Sequence, residues 1–345
     1  MHVKHILSVA ALAGLLTACG ADNNEQADME NTANQENDVN ETAENEAANN
    51  DNHENEANQG NEGHDEKAST DEDVKVIAHR GASGHAPEST THAIDKAIEM
   101  DADWIELDIQ ITADGHLVAF HDDEISRTTD GEGGIGDHTL EELKELDQGS
   151  WFNEEFPDRA DEQFEGAEIL TLEEVFEMYG EGVNYYIETK STYLNEGMEE
   201  PMVQMVEDFG YEDNVIIQSF HQDSLETIAD MNDEISLVQL LWWEVDEETG
   251  EMTEWLDIVP APEDMTDADF EAIADYADGV GPHLTYYDGT EVIDEAFVQT
   301  LRDHDFMVHV YTVNEEDEME RLIDWGVTGL FTDYPDRLKH VLDNR

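Results

Sequence analysis

The chain predicts a (β/α)₈ barrel behind a long acidic lead-in, and three observations carry that expectation. From residue 74 onward, short apolar runs alternate with amphipathic stretches, the rhythm of a parallel sheet covered by helices. That part of the chain is roughly 270 residues long, the size of one such barrel. His, Arg, Lys and carboxylate side chains gather where the apolar runs end, and barrels of this kind keep their chemistry at the C-terminal ends of their strands. A doubly wound open sheet is the alternative architecture.

The first segment sets the compartment. Lys4 precedes an apolar stretch, 6–16, that is too short to span a bilayer as a mature helix. Small residues follow in Leu16-Thr17-Ala18-Cys19-Gly20, which resembles a bacterial lipobox; an ordinary signal peptide with an incidental Cys is the alternative. Residues 1–19 are therefore expected to be a lipoprotein signal peptide, with Cys19 lipidated and the protein exported and anchored to the outer face of the bacterial cell membrane. Cys19 is the only cysteine, so no intrachain disulfide can form, and the fold depends on core packing and on any bound metal.

From residue 20 to 73, Asn, Glu, Ala and Asp dominate, and Met29 and Val39 are the only large apolar residues. Such a segment buries too little surface to offset chain entropy and reads as a disordered acidic tether. Across the whole chain 14 Lys and Arg face 89 Asp and Glu, a formal net charge of −75. A general nucleic-acid binder needs a basic face, so that class is excluded. The acidity resembles that of proteins from high-salt environments, where screening makes dense carboxylates tolerable.

In the domain 74–345, strands are predicted at 74–79, 104–112 with 117–121 as its extension, 184–189, 215–220, 236–242, 279–284, 307–313 and 329–332. Helices are predicted at 91–100, 201–209, 224–231, 267–276, 295–305 and 315–325. One interval breaks the rhythm: about 122–170 is long, Gly-rich at 130–134 and aromatic at Trp151-Phe152. It reads as an insertion after the second strand, with short helices of its own, walling the site.

Strand alternation puts Glu106 and Asp108 on one face, roughly 7 Å apart along the chain, and does the same for Glu188 and Lys190. If these side chains converge at the barrel mouth, three carboxylates suit a hard divalent cation, Ca²⁺ or Mg²⁺. Zinc would call for several His or Cys ligands. His79 and His121 can give or take a proton near neutral pH. Arg80 can clamp phosphate oxygens in a fork, and Lys190 adds a point charge.

With these residues in place, the chain resembles the glycerophosphodiester phosphodiesterase family, TIM-barrel enzymes. The motifs are His79-Arg80-Gly81; Pro87-Glu88-Ser89-Thr90, where Asn is usual at Ser89; Glu106-Leu107-Asp108 running through Thr112-Ala113-Asp114-Gly115 to His121-Asp122; Ile187-Glu188-Thr189-Lys190; and Gln218-Ser219-Phe220. Tyr311-Thr312-Val313-Asn314, where Trp is commoner than Tyr, and Gly326 through Pro335 complete the series. The resemblance implies Glu106, Asp108 and Glu188 as ligands of one divalent metal, Ca²⁺ favoured over Mg²⁺, and His79 and His121 as the acid–base pair. It implies Arg80 and Lys190 on the phosphate, Glu88 orienting Arg80 or reaching the metal, and Phe220 and Tyr311 lining the glycerol pocket.

The implied reaction is attack of the neighbouring glycerol hydroxyl on phosphorus, loss of the alcohol, and opening of the cyclic phosphate by water to give glycerol 3-phosphate. The expected substrates are small glycerophosphodiesters, with glycerophosphate polymers of the cell wall left open. The competing expectations are a related barrel phospholipase, phospholipase D-like or phosphoinositide-cleaving, and a non-catalytic lipoprotein that binds phosphorylated metabolites.

Overall fold

The computed structural model describes residues 74–345 except 247, 248, 250, 255–258 and 288. The predicted signal peptide with Cys19 and the acidic tether lie outside the described residues. In chain order the domain runs β1 (Lys75–Ala78), α1 (Thr91–Glu99), β2 (Trp104–Ile111), β3 (Leu117–Ala119), α2 (Leu140–Leu143), α3 (Ser150–Glu155), α4 (Leu172–Tyr179), β4 (Tyr185–Thr189) and α5 (Glu199–Phe209). It continues with β5 (Val215–Ser219), α6 (Gln222–Met231), β6 (Ser236–Leu241), β7 (Trp243–Val245), β8 (Met252–Glu254), α7 (Asp267–Ala274), β9 (Gly279–Pro282) and α8 (Glu295–Asp303). It ends with β10 (Met307–Val310), α9 (Glu316–Trp325), β11 (Gly329–Thr332) and α10 (Pro335–Asp343).

Eight strands pair in parallel in the order β1-β2-β4-β5-β6-β9-β10-β11, and β11 returns to β1, closing the barrel. Closure removes both sheet edges and rules out the open doubly wound sheet. β3 folds back antiparallel on β2, so the apolar run 117–121, expected to extend the second strand, instead forms a hairpin arm beside it. Two helices lie outside the segments that apolar periodicity predicts. α4 begins at a capping box, Thr171 with Glu174, whose side chains and backbone amides bond reciprocally. α10 has Pro335 at its first position. The β7–β8 hairpin after β6 was also unexpected.

The interior of the barrel is filled by Ile77, Tyr186, Ile216, Val238 and Phe331, with Trp104, Met307 and Tyr311 against them. Tyr186 Oη lies 2.9 Å from Nδ1 of the buried His309. Gly329 makes room for that ring, because a Cβ there would sit 2.7 Å from His309 Cδ2. This plug supports the layer above it, where register aligns Asp108 with Glu188 and Glu188 with Gln218.

Candidate active site

β1 ends at Ala78, and the chain turns sharply through His79, Arg80 and Gly81. Arg80 has φ 57 and Gly81 φ 80, and a Cβ on Gly81 would approach the Ala93 backbone carbon to 2.6 Å. Only glycine fits there, and Arg80 is held in a left-handed conformation that non-glycine residues seldom take. The strained turn aims the Arg80 amide at Glu106, 2.8 Å from Oε2. It also sets the guanidinium between Glu88, 3.0 Å away, and Asp108, 3.1 Å away. Ser89 has φ 57 as well, a conformation that Asn adopts more readily than Ser.

Glu106, Asp108 and Glu188 come together: one ligand oxygen from each lies within 4.8 Å of the others, and all three residues are buried. Lys190 Nζ stands 2.8 Å from Glu188 and 3.6 Å from Asp108. Burial, then repulsion from Asp108 and Glu188, pushes Glu106 well above the usual carboxylate range. Burial likewise raises Glu188 to about 7, with Lys190 opposing and Asp108 adding to the rise. Asp108 goes the other way: Lys190, His121 and Arg80 outweigh burial and hold it low. Three hard oxygen donors crowded at this spacing, two of them resisting ionisation, form a donor set that fits a divalent cation.

Each predicted catalytic histidine has its Nδ1 held by a carboxylate. His79 Nδ1 lies 2.7 Å from Asp333 Oδ1, and Asp333 also accepts from Ser83 Oγ at 2.9 Å and Asn314 Nδ2 at 2.7 Å. His121 Nδ1 lies 2.6 Å from Asp122 Oδ1. Burial, assisted by Arg80 and Lys190, lowers His121 to about 4, so it stands neutral at neutral pH. Such pairs fix the ring and leave Nε2 for proton transfer. Both histidines adjoin residues that contact Asp108: His79 precedes Arg80, whose guanidinium pairs with the Asp108 carboxylate at 3.1 Å, and His121 follows Phe120, whose amide donates to the Asp108 carbonyl at 2.8 Å.

Three residues given no role from the sequence complete this network. Asp333 and Asp122 orient the histidines. Arg127, from the insertion, forks between Glu88, at 2.6 and 3.2 Å, and Asp122, through Nε and through Nη2 at 3.1 Å. It thereby ties the His121 side of the site to the Arg80 side. Glu88 is engaged by the two arginines rather than joined to the carboxylate triad. Phe220 and Tyr311 meet with ring centroids 6.0 Å apart, and Tyr311 Oη donates to the Leu241 carbonyl at 2.7 Å.

Comparison with known proteins agrees with this geometry. Residues 79–337 match the glycerophosphoryl diester phosphodiesterase family. A glycerophosphodiester phosphodiesterase of Bacillus subtilis is 42% identical over 274 residues, 78% of this chain and 86% of that protein. One from Caldanaerobacter subterraneus is 36% identical over 271 residues, 77% of this chain and 97% of the relative. Among solved structures, an Oleispira antarctica phosphodiesterase in complex with the product sn-glycerol-3-phosphate superposes with a TM-score of 0.63 at 28% identity, covering 78% of this chain and 96% of its own. The chain belongs to the glycerophosphoryl diester phosphodiesterase family.

Proposed function

We propose that this member of the family hydrolyses small glycerophosphodiesters to glycerol 3-phosphate and an alcohol, with one divalent cation, Ca²⁺ favoured and Mg²⁺ the alternative. The observation that carries the assignment is the joint presence of two carboxylate-held histidines and the Glu106, Asp108 and Glu188 triad at one barrel mouth. A binding protein needs no such paired proton carriers. The bound product in the Oleispira relative supports the substrate class.

In this scheme Arg80 and Lys190 hold the anionic diester against the triad. Glu106, Asp108 and Glu188 would hold the cation, which would supply further neutralisation of the phosphoryl charge. His121, neutral in the free protein, takes the proton of the glycerol 2-hydroxyl through Nε2, and that oxygen attacks phosphorus. His79 gives a proton to the departing alcohol as its P–O bond breaks. Water then opens the cyclic phosphate with the two roles reversed, which returns both histidines to their starting states. Turnover of glycerophosphodiesters after chelation, with Ca²⁺ or Mg²⁺ restored separately, tests the assignment. Full activity without any divalent cation overturns it.

The proposed location follows from Cys19 and the apolar stretch before it. No helix among the described residues is long and apolar enough to cross a membrane. Cys19→Ser is expected to move the protein from the membrane fraction to the soluble one, and unchanged fractionation refutes a lipid anchor at that residue.

A further inference from the structure

The loops that carry the two histidines are each gripped by an arginine of the insertion. Arg127 holds Asp122 beside His121. A second arginine, Arg159, reaches the loops behind His79. Its Nη1 donates to the Gly84 carbonyl at 2.5 Å and to Tyr334 Oη at 3.0 Å. Gly84 belongs to the β1–α1 loop that begins at His79, and Tyr334 follows Asp333, the carboxylate that holds the His79 ring. These two loops meet without slack. A Cβ on Gly84 would sit 2.3 Å from Tyr334 Cε1, and the Gly84 amide donates to the Asp333 carbonyl at 2.9 Å. Arg337 holds the same ring, its guanidinium 3.7 Å from the Tyr334 centroid, and donates at 2.9 Å to the carbonyl of Asn314, whose side chain bonds Asp333. Both hydrogen-bond acceptors of Arg159 are neutral oxygens in a chain with 89 Asp and Glu, so what this arginine fixes is loop geometry rather than charge balance.

Helix α3 and the residue after it join the two arginines. The Trp151 ring lies 5.6 Å from the Arg127 guanidinium, the Phe156 ring 5.1 Å from that of Arg159, and the two rings meet at 6.4 Å. Phe152 and Phe164 seat this unit against Ala86 and Ala93, next to the turn that carries His79. We propose that the insertion positions both proton carriers, Arg127 acting on His121 through Asp122, and Arg159 acting on His79 through the Gly84–Tyr334 contact. The proposal rests on the hydrolase assignment and on the roles it gives the two histidines. Proton transfer demands a donor at hydrogen-bond distance from the departing oxygen, and a misplacement of about 1 Å can cost about 10²-fold in rate. Arg159 is therefore a positioning residue, one layer behind the group that gives the proton.

The departing alcohol tells the two arginines apart. An alkyl alcohol leaves as the electron pair of its P–O bond takes up a proton from His79. The 4-nitrophenolate ion carries that electron pair away as a stable anion and needs no proton. Diesters of glycerol 3-phosphate with ethanol and with 4-nitrophenol are compared in the full-length, metal-loaded protein through kcat/KM, which covers the steps up to release of the alcohol. Arg159→Ala, a change at an exposed position, is expected to lower kcat/KM about 10- to 100-fold for the ethyl diester and less than about threefold for the nitrophenyl diester. Arg127→Ala is expected to lower both by a similar factor, because His121 takes the same proton from either substrate. Tyr334→Phe removes the hydroxyl that Arg159 binds and keeps the ring, so it should act on the ethyl diester in the same direction and less strongly. Equal losses on the two diesters in Arg159→Ala, or no loss on either, overturn the assignment of Arg159 to His79. Failure of the unaltered protein to turn over either diester refutes the hydrolase assignment instead, so the two failures are distinct.

Discussion

The two sides of the barrel mouth are built on opposite plans. On the side of β1, β2, β4 and β11, charged groups are buried and paired in a continuous network: His79 with Asp333, Arg80 with Glu88 and Asp108, Lys190 with Glu188, and Arg127 joining Glu88 to Asp122. On the side of β5, β6, β9 and β10, rings lean on rings, and Lys and Arg are absent between Lys190 and Arg302. The contrast separates two tasks. Charges fixed in a dry, paired network stabilise a transition state common to every diester, because they need not reorganise as charge develops. A ring surface at the rim offers apolar contact and no such charge. Substitutions on the charged side should therefore lower turnover of all alkyl diesters alike.

The largest loss is expected at the triad. Glu106→Gln, Asp108→Asn and Glu188→Gln preserve shape but remove a charged ligand oxygen, so each should lower kcat by about 10³-fold or more and weaken divalent-cation binding. Cation titration followed by calorimetry checks the second effect without relying on activity. Undiminished cation affinity in all three variants removes the triad as the metal site. His79→Ala and His121→Ala come next, at about 10²- to 10⁴-fold in kcat, with cation affinity retained. Wild-type turnover in either variant makes that histidine structural.

Arg127 offers a smaller and more discriminating test. Its guanidinium bonds Glu88 and Asp122, and it acts on the site by holding them. Arg127→Ala should cut kcat about 10- to 100-fold, the range for groups that orient a first layer of functional residues. Arg127→Lys should recover only part of the loss, because one ammonium cannot fork to two carboxylates. Complete rescue by Lys would mean that a point charge suffices and that the fork is incidental.

Much of this was legible before the structure, and the omissions share a cause. Residues carried by strand periodicity, such as Glu106, Asp108, Glu188 and Lys190, were assigned to one face from alternation, and the register of β2 with β4 brings them together. Asp333 and Asp122 could not be singled out in that way. A carboxylate is an ordinary residue in a chain with 89 of them, and the partner of His79 stands 254 positions away. The signal that was available was position: Asp333 follows the last barrel strand, and Asp122 follows His121. Arg127 carried a stronger hint, being a rare cation inside the insertion. The β7–β8 hairpin was missed because 236–242 continues into Trp243 without a turn residue to mark the break.

The smallest effect expected concerns stability and pits the same two sectors against each other. Two like charges about 8 Å apart repel by about 0.5 kcal/mol in water, and many such pairs add up. The Debye length grows from about 3 Å at 1 M salt to about 30 Å at 0.01 M, so lowering salt exposes each carboxylate to more of its neighbours. Around α1 and α10, Lys96, Arg337 and Lys339 supply local compensation. Helices α5, α6 and α7 have no Lys or Arg of their own and lie in the run that has none. Hydrogen exchange on the full chain, at saturating divalent cation, should show protection in α5, α6 and α7 falling as salt is lowered. The loss should amount to roughly tenfold, or about 1.4 kcal/mol, while α1 and α10 change less. An equal response in all five helices would mean that the acidity acts on the barrel as a whole. Protection that is insensitive to salt throughout would remove adaptation to high salt as the reason for the carboxylates.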